Sequence, residues 1–347
     1  MEIPPAFKDM INASVILLAY RQEHFVLQAL ESLMVQTSQP VETVIVDDHS
    51  PDGTAEVIGS YIEQRGLRWI FVRKDANAGV VSAVRAGLGH STGEVIIFAA
   101  GDDISEPDRI SATLDFFREN PEAYGLVLGA QVMDSKGTRL GKTVNSSTRL
   151  PAKFSPKSLS GYDFLAGMHA CGAASAFRSQ VFNEFPRVRD NVYADDRVYV
   201  FRAILLGGCH FLPELKVLWR EHGGNLSHQS GRARGPHLAT YFEGRIAEFD
   251  QHLDDFDAWL GKPSIQPRPA LAEFRADLIH ERARMSLLQS CHRPGLALRV
   301  VAAAFSTCWT TRRPRGDGLA FYFKATLQFL LPYALQRALV NRLNRHG

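Results

Sequence analysis

The chain has 347 residues, 45% of them hydrophobic, enough to bury one large core or two smaller ones. Its 39 basic and 37 acidic residues nearly cancel to a formal charge of +2, so no chain-wide field recruits nucleic acid. The four cysteines, Cys171, Cys209, Cys291 and Cys308, stand far apart without CxxC spacing, which argues against a structural zinc site or a dense disulfide framework and for reduced thiols in a cytosol.

The opening MEIPPAFKDMINAS lacks a basic segment followed by an apolar core, so no secretory signal is expected. No stretch reaches the roughly 18 uninterrupted apolar residues of a membrane span. ASVILLAY, from Ala13, reads as a buried strand, and HFVLQALESLMVQ carries apolar positions at helical spacing. VETVIVDDHS predicts a second strand, TAEVIGSYIEQRG a helix ending at Gly66, and LRWIFVRK a third strand. GVVSAVRAGLGH predicts a further helix before the strand EVIIFAA. Strands separated by helices of this length imply βαβ units in a mainly parallel sheet with both faces covered. Ligands of such sheets bind beyond the carboxyl ends of the strands, and the pairs Asp47–Asp48 and Asp102–Asp103 both fall on that rim. From about Pro121 to Ser230 the pattern loosens into shorter strands, Gly-rich turns and one helix, ADDRVYVFRAILLGG. From about Gly231 it is helical, with HLATYFEGRIAEFDQHLDDFDAWL and PALAEFRADLIHERARMSLLQS separated by the Pro-rich GKPSIQPRP.

In EVIIFAAGDDISEPDRI, two adjacent carboxylates follow an apolar run. A polar turn ending a strand would put Gly and Asp there. Adjacent carboxylates also repel unless a cation neutralises them, which suits Mg2+ or Mn2+ held by one or two carboxylates and substrate phosphates. A diphosphate leaving group needs such a cation as its negative charge develops. In VIVDDHSPDGT an ionised Asp can accept hydrogen bonds from an imide N–H or from ribose hydroxyls. Asp52, Gly53 and Thr54 there also read as a turn and helix cap, which does not itself require Asp47 and Asp48.

The order SVILLAYRQEHFVLQALESLMVQT, ETVIVDDHSPDGT, NAGVVSAVRAGLGHSTGEVIIFAAGDD and PDRI resembles the family 2 glycosyltransferases over roughly Ala13 to Phe117. The resemblance implies a GT-A fold, an α/β domain with a mainly parallel, Rossmann-like sheet flanked by helices, here followed by a C-terminal helical extension. It implies donor binding by Ala19, Tyr20, Asp48, Asn77 and Asp102, with Tyr20 at the base pocket and Asp48 reading a pyrimidine. Asp103 matches the metal-ligating member of the family's acidic motif. Arg21 and Arg85 depart from the pattern at positions where Asn is common; each fits a diphosphate contact or a surface substitution.

An inverting sugar transfer also needs a general base for the acceptor hydroxyl. Asp195–Asp196 open the helix ADDRVYVFRAILLGG, where the helix dipole alone favours acids. The stretch resembles the family's Glu/Asp-Asp motif, with Asp196 at the base position and Arg202 and Gly207 keeping the downstream pattern. VLWREHGGNLS is similar to the family's Trp/Tyr-Arg-x-His segment ending in Asn-x-Ser. That likeness implies His222 as a further metal ligand or phosphate donor and Arg220 as a phosphate contact. GYDFLAGMHACGAASAFRSQVF lies where the family has acceptor-facing loops; His169 and Arg178 there merit testing but are not read as catalytic, and Cys171 reads as a packed thiol.

Residues 311–347 carry Arg312, Arg313, Arg315, Lys324, Arg337, Arg342 and Arg345 against the single acid Asp317. Two readings fit this aromatic, basic tail: an interfacial helix beside anionic lipids, or a helix packed on the protein or a partner. The expected organisation is a nucleotide-sugar-binding part in 1–120, an acceptor-binding and base part in 121–230, and a helical region in 231–347. The expected function is an inverting transfer from a UDP- or dTDP-sugar to a hydroxyl of a lipid-linked or cell-surface glycan, in the cytoplasm or on the cytoplasmic face of the inner membrane. The rivals are a catalytically inactive nucleotide-sugar-binding protein and a phosphorelay receiver. A receiver puts its acidic strand first, whereas a full strand and helix precede Asp47; a dinucleotide dehydrogenase would need a GxGxxG after the first strand.

Overall fold

The computed structural model describes residues 11–145, 153, 154, 156, 171–225 and 237–290. His169, Cys291, Cys308 and the basic tail 311–347 lie outside the described residues.

The first half alternates strand and helix: β1 Ala13–Ala19, α1 Val26–Met34, β2 Glu42–Asp47, α2 Thr54–Arg65, β3 Ile70–Arg73, α3 Val80–Leu88 and β4 Val95–Ala100. These four strands pair in parallel in the order β3-β2-β1-β4, with Ala19 beside Asp47 and Leu18 beside Ala100. β1 and β4 are buried on both faces, which is why they read as apolar runs rather than alternating ones. The chain leaves β1 toward β2 on one side and returns to β4 on the other. The loops after β1, β2 and β4 therefore diverge at their carboxyl ends, the crevice where ligands of such sheets bind.

The second half supplies β5 Ile104–Ser105, α4 Arg109–Glu119, β6 Gly125–Asp134, β7 Arg139–Val144, β8 Lys153–Phe154, β9 Ser175–Arg178, α5 Gln180–Asn183, α6 Asp195–Leu206 and β10 Cys209–Glu221. The sheet continues from β4 through β9, β6 and β10 to β5, with β7 on β6 and β8 on β10. It is mixed: β9 runs antiparallel to both neighbours, and β10 runs parallel to β6 but antiparallel to β5. The β10–β5 register sets Leu218 against Ile104 and so carries Arg220 to the Asp102–Asp103 loop.

Strand alternation divides the core. Val15, Leu17, Ile97 and Ala99 face α1, α2 and α4 through Leu30, Ile58, Leu114 and Phe117. Ile16, Val44, Val46 and Phe98 face α3 and α6. That second core runs on through α6 into α7 His237–Leu260 and α8 Pro269–Ser290, where Phe201, Phe249, Phe256 and Phe274 pack together. Pairs Asp257–Arg275 and Asp250–Arg282 run in opposite orders along α7 and α8, so the two helices form an antiparallel hairpin. Arg202 of α6 is tied to Asp255 of α7 by two hydrogen bonds of 2.7 and 2.9 Å, both residues being buried. Among the described residues no helix is long and apolar enough to cross a membrane.

Candidate active site

The carboxyl end of β2 separates the roles of its two aspartates. Asp47 is fully buried and accepts the Ser50 N–H at 3.0 Å together with the Ser50 hydroxyl, while Ser50 Oγ accepts the Arg21 N–H at 3.0 Å. Asp47 thus ties the ends of β1 and β2 together. Asp48 accepts from Lys74 Nζ, from the Ala78 N–H at 3.2 Å and from the Gly79 N–H at 2.8 Å. Gly79 has φ +83°, a left-handed conformation in which a side chain is strained, and this turn aims its N–H at Asp48. Arg21 and His49 also have positive φ, 57° and 60°. Asn tolerates that conformation better than Arg, which gives a backbone reason for the Asn common at the Arg21 position. Tyr20 is 36% exposed at the end of β1 beside buried Ala19, and Asn77 is exposed on the β3–α3 loop.

The Asp102–Asp103 loop is held by the end of β10. Asp103 Oδ1 accepts the Arg220 N–H at 2.8 Å, and Arg220 Nε donates to the Asp102 carbonyl at 2.8 Å. Asp102 Oδ2 lies 3.0 Å from His222 Nε2. Asn225 closes the turn: its Oδ1 accepts the His222 N–H at 2.5 Å and its Nδ2 donates to the Arg220 carbonyl at 2.8 Å. Burial first, then the Asp102 charge, pushes the Asp103 carboxyl well above its ordinary range, against the pull of Arg220 and Arg109. Arg109, at the start of α4, is 2% exposed and donates to the Phe98 carbonyl at 2.5 Å and to Ser105 Oγ at 3.0 Å. Its burial lowers the guanidinium to about 10, with Cys171 and Asp103 opposing.

Asp196 stands at the start of α6, in the other half of the chain. Its Oδ1 accepts the Arg197 N–H at 2.8 Å, and Burial first, then Asp195, pushes it up to about 7. Asp195 is raised to about 6 by burial, opposed by the N–H groups of residues 195 and 196. The turn Gly172–Ala174 joins the two halves, since it packs on β4, β6 and β10 and a Cβ at Gly172 would stand 3.7 Å from Asp196 Oδ2. Cys171, just before that turn, is pushed up to about 12 by burial and then by the charges of both Asp103 and Asp196. A carboxylate on a Gly-Asp-Asp loop and another at a helix start thus face one small-residue turn.

The donor set suits a hard divalent cation. Asp103 is a buried carboxylate with an acid neighbour, oriented through one oxygen by a backbone N–H, and its other oxygen has no hydrogen bond among the described residues. His222 gives Nε2 to Asp102, an arrangement that orients Asp102. Among the described residues no three His, Cys, Asp or Glu side chains gather around one metal position.

Residues 14–185 match the family described as Glycosyl transferase family 2. The chain belongs to glycosyltransferase family 2. Its architecture is a mixed α/β sheet flanked by helices, and its chemistry is glycosyl transfer from a nucleotide sugar. An uncharacterized glycosyltransferase of Nostoc sp. is 26% identical over 285 residues, 80% of this chain and 85% of that one. Succinoglycan biosynthesis protein ExoO of Rhizobium meliloti is 24% identical over 233 residues, 65% of each chain. Among solved structures, S. aureus TarS 1–349 in complex with UDP-GlcNAc is 16% identical, covers 87% of this chain and 90% of its own, and has a TM-score of 0.49.

In this family 2 transferase several side chains do something other than the sequence reading expects. Arg220 is expected at a phosphate, but its guanidinium is buried, stacked 4.9 Å from the Phe25 ring, and donates to Asp102, to Ser135 and to Gln28 Oε1 at 2.6 Å. It shapes the acidic loop from beneath. Arg85 donates to the Val188 carbonyl at 3.3 Å and to Asp190, so it anchors the loop before α6 instead of reaching a diphosphate. Arg178 is spent on the carbonyls of Ala123 and Phe117. Sequence reasoning assigned no role to Lys74, Arg109 or Asn225. Only the PDRI and Asn-x-Ser strings marked the last two, and Lys74 carried no signal.

Proposed function

We propose that the protein transfers a sugar from a nucleoside-diphosphate donor, UDP- or dTDP-linked, to an acceptor hydroxyl with inversion at the anomeric carbon. Asp48, with Lys74 beside it, reads the base that stacks near Tyr20. Asn77 and Ala19 line the same rim, and Asp102 and Asp103 face the diphosphate. Asp103 would hold Mg2+ or Mn2+ with Asp102 and His222 behind it, and the cation would supply positive charge beside the diphosphate. Asp196 takes the proton of the attacking hydroxyl, and its position near 7 suits a base that must accept a proton at neutral pH. The observation that carries this reading is the Cys171–Ala174 segment, which is next to Asp196 and within the field of Asp103. The acceptor is a glycan, on a lipid carrier or at the cell surface. This is supported by the basic residues of 311–347, which give the tail affinity for an anionic membrane, and by the likeness to a succinoglycan biosynthesis protein.

The test is release of nucleoside diphosphate from a panel of UDP-, dTDP- and GDP-sugars with Mn2+. Turnover is expected to vanish in Asp196→Asn while nucleotide binding persists. Normal turnover in that variant removes Asp196 as the base, and binding without turnover in the wild type favours an inactive nucleotide-sugar-binding protein. Removal of residues after Thr310 is expected to abolish co-sedimentation with anionic vesicles; unchanged sedimentation rejects the membrane contact.

A further inference from the structure

One stripe of α7 is polar and buried: Gly244, Glu248, Gln251 and Asp255 recur every three to four residues, and the last three are 0% exposed. Each touches the loop and helix that carry Asp196. The Gly244 carbonyl accepts the Tyr193 N–H at 3.1 Å, and a Cβ at Gly244 would stand 2.9 Å from Tyr193 Cβ. Gln251 Oε1 accepts the Arg189 N–H at 3.0 Å, and Asp255 pairs with Arg202. Glu248 meets the residue after Asp196: its Oε1 lies 3.0 Å from Arg197 Nε. Arg245 Nη1 reaches both Glu248 oxygens, at 2.5 and 2.6 Å, and His252 Nε2 stands 3.6 Å away.

Resting on the reading of Asp196 as base, we infer that Glu248 is a positioning residue: it holds the Arg197 guanidinium on the α7 side and so keeps it off the Asp196 carboxylate. A guanidinium paired with a carboxylate lowers its basicity. Among the described residues Asp196 instead takes the Arg197 backbone N–H. The groups facing Asp196 are Asp195 and Arg197 from its own helix, Glu248 from α7, and Cys171 from the turn segment. Glu248, though buried, is held at about 2 by Arg197 and Arg245, so its charge is constant across the working range. Burial lowers His252, with Glu248 and Asp255 opposing. Without Glu248, two guanidiniums lose their shared partner, and Asp196 stands next to one of them.

The experiment uses the full chain and Glu248→Gln, with two readouts. The first is the pH dependence of kcat/KM for UDP- or dTDP-glucose with water as acceptor, which keeps the proton transfer. The acid limb is expected to move at least one pH unit downward, with kcat at pH 8 falling about tenfold and KM little changed. The second readout needs no turnover: the pH at which Asp196→Asn gains stability over its parent is expected to fall equally in the Glu248→Gln background. Adding Arg197→Gln to Glu248→Gln is expected to return both readouts toward wild type, which a merely structural role for Glu248 would not do. Should Glu248→Gln fail to fold, Arg197→Gln alone, which leaves Glu248 with Arg245, is expected to move the limb to higher pH. An unmoved limb and an unmoved stability midpoint in the variant that folds overturn the inference. A shifted midpoint in a protein whose Asp196→Asn variant turns over normally leaves the Arg197 contact standing and rejects the base.

Discussion

Replacing Asp196 with Asn should stabilise the protein while removing its activity, and the gain should depend on pH. Asn keeps the shape and an oxygen for the Arg197 N–H, so the change isolates the ionisation. The carboxyl rises from 3.8 to about 7, which means the folded chain disfavours the charge that the unfolded chain carries freely. The sign follows from linkage: the aspartate adds no penalty below pH 4, where it is protonated in both states. Stability is lost progressively as pH rises toward 7, and the full penalty applies above it. Three units correspond to roughly 4 kcal/mol. The residue is only partly buried, so about half of that, ~2 kcal/mol, is the expected gain. Such a gain raises Tm by about 4–8 °C for a domain of a few hundred residues. Denaturation midpoints at pH 4, 6 and 8 measure it: equal stability at pH 4, a partial gain at pH 6 and the full gain at pH 8. A variant no more stable than wild type at pH 8, or equally favoured at pH 4, refutes a strained carboxylate at this helix start.

Asp103→Ala should abolish the thermal stabilisation that UDP or dTDP gives with Mn2+ while leaving the small effect of nucleotide with EDTA, as read by melting curves. Breaking the buried pair with Arg202→Ala or Asp255→Ala should cost about 3–5 kcal/mol in chemical denaturation, and the double variant should cost less than the sum. Gly79→Ala should cost about 1–2 kcal/mol through its left-handed backbone and weaken nucleotide affinity, because the N–H given to Asp48 moves with the strain; calorimetry checks both.

The first four strands and their helices are legible because each carries its own period and its own stop. Apolar runs mark β1 and β4, and Gly66 ends α2 in a left-handed cap at φ 60°. The acidic pairs are legible because adjacent carboxylates at strand ends are conspicuous. The far half of the sheet is not, since β9 inserts between β4 and β6, and β5 has only two residues. Nothing local announces such pairings. The same holds for α7: nothing in its sequence marks Glu248 and Asp255 as buried, and each is paired with an arginine about fifty residues earlier in the chain. Arg220 shows the complementary failure. Its charge and neighbourhood point to a phosphate, yet Gln28, from a helix nearly two hundred residues away, takes one end of its guanidinium.

Why the acids come in adjacent pairs can be answered from what each oxygen does. Within each pair one carboxylate is tied to the fold: Asp47 to Ser50, Asp102 through Oδ2 to His222, and Asp195 to the first N–H groups of α6. Its neighbour is then carried to a fixed place. Asp103 and Asp196 each give one oxygen to a backbone N–H and keep a second with no hydrogen bond among the described residues. Strand ends and helix starts expose unpaired N–H groups that an acid satisfies well, so an anchor is available wherever the chain leaves an element. Asp48 differs, because both its oxygens are engaged, one by Lys74 and the other by the Gly79 N–H. The repulsion between neighbours is therefore the cost of having the anchor and its less engaged partner share one turn, and it falls on the two aspartates, Asp103 and Asp196, whose carboxyls are raised by an adjacent acid.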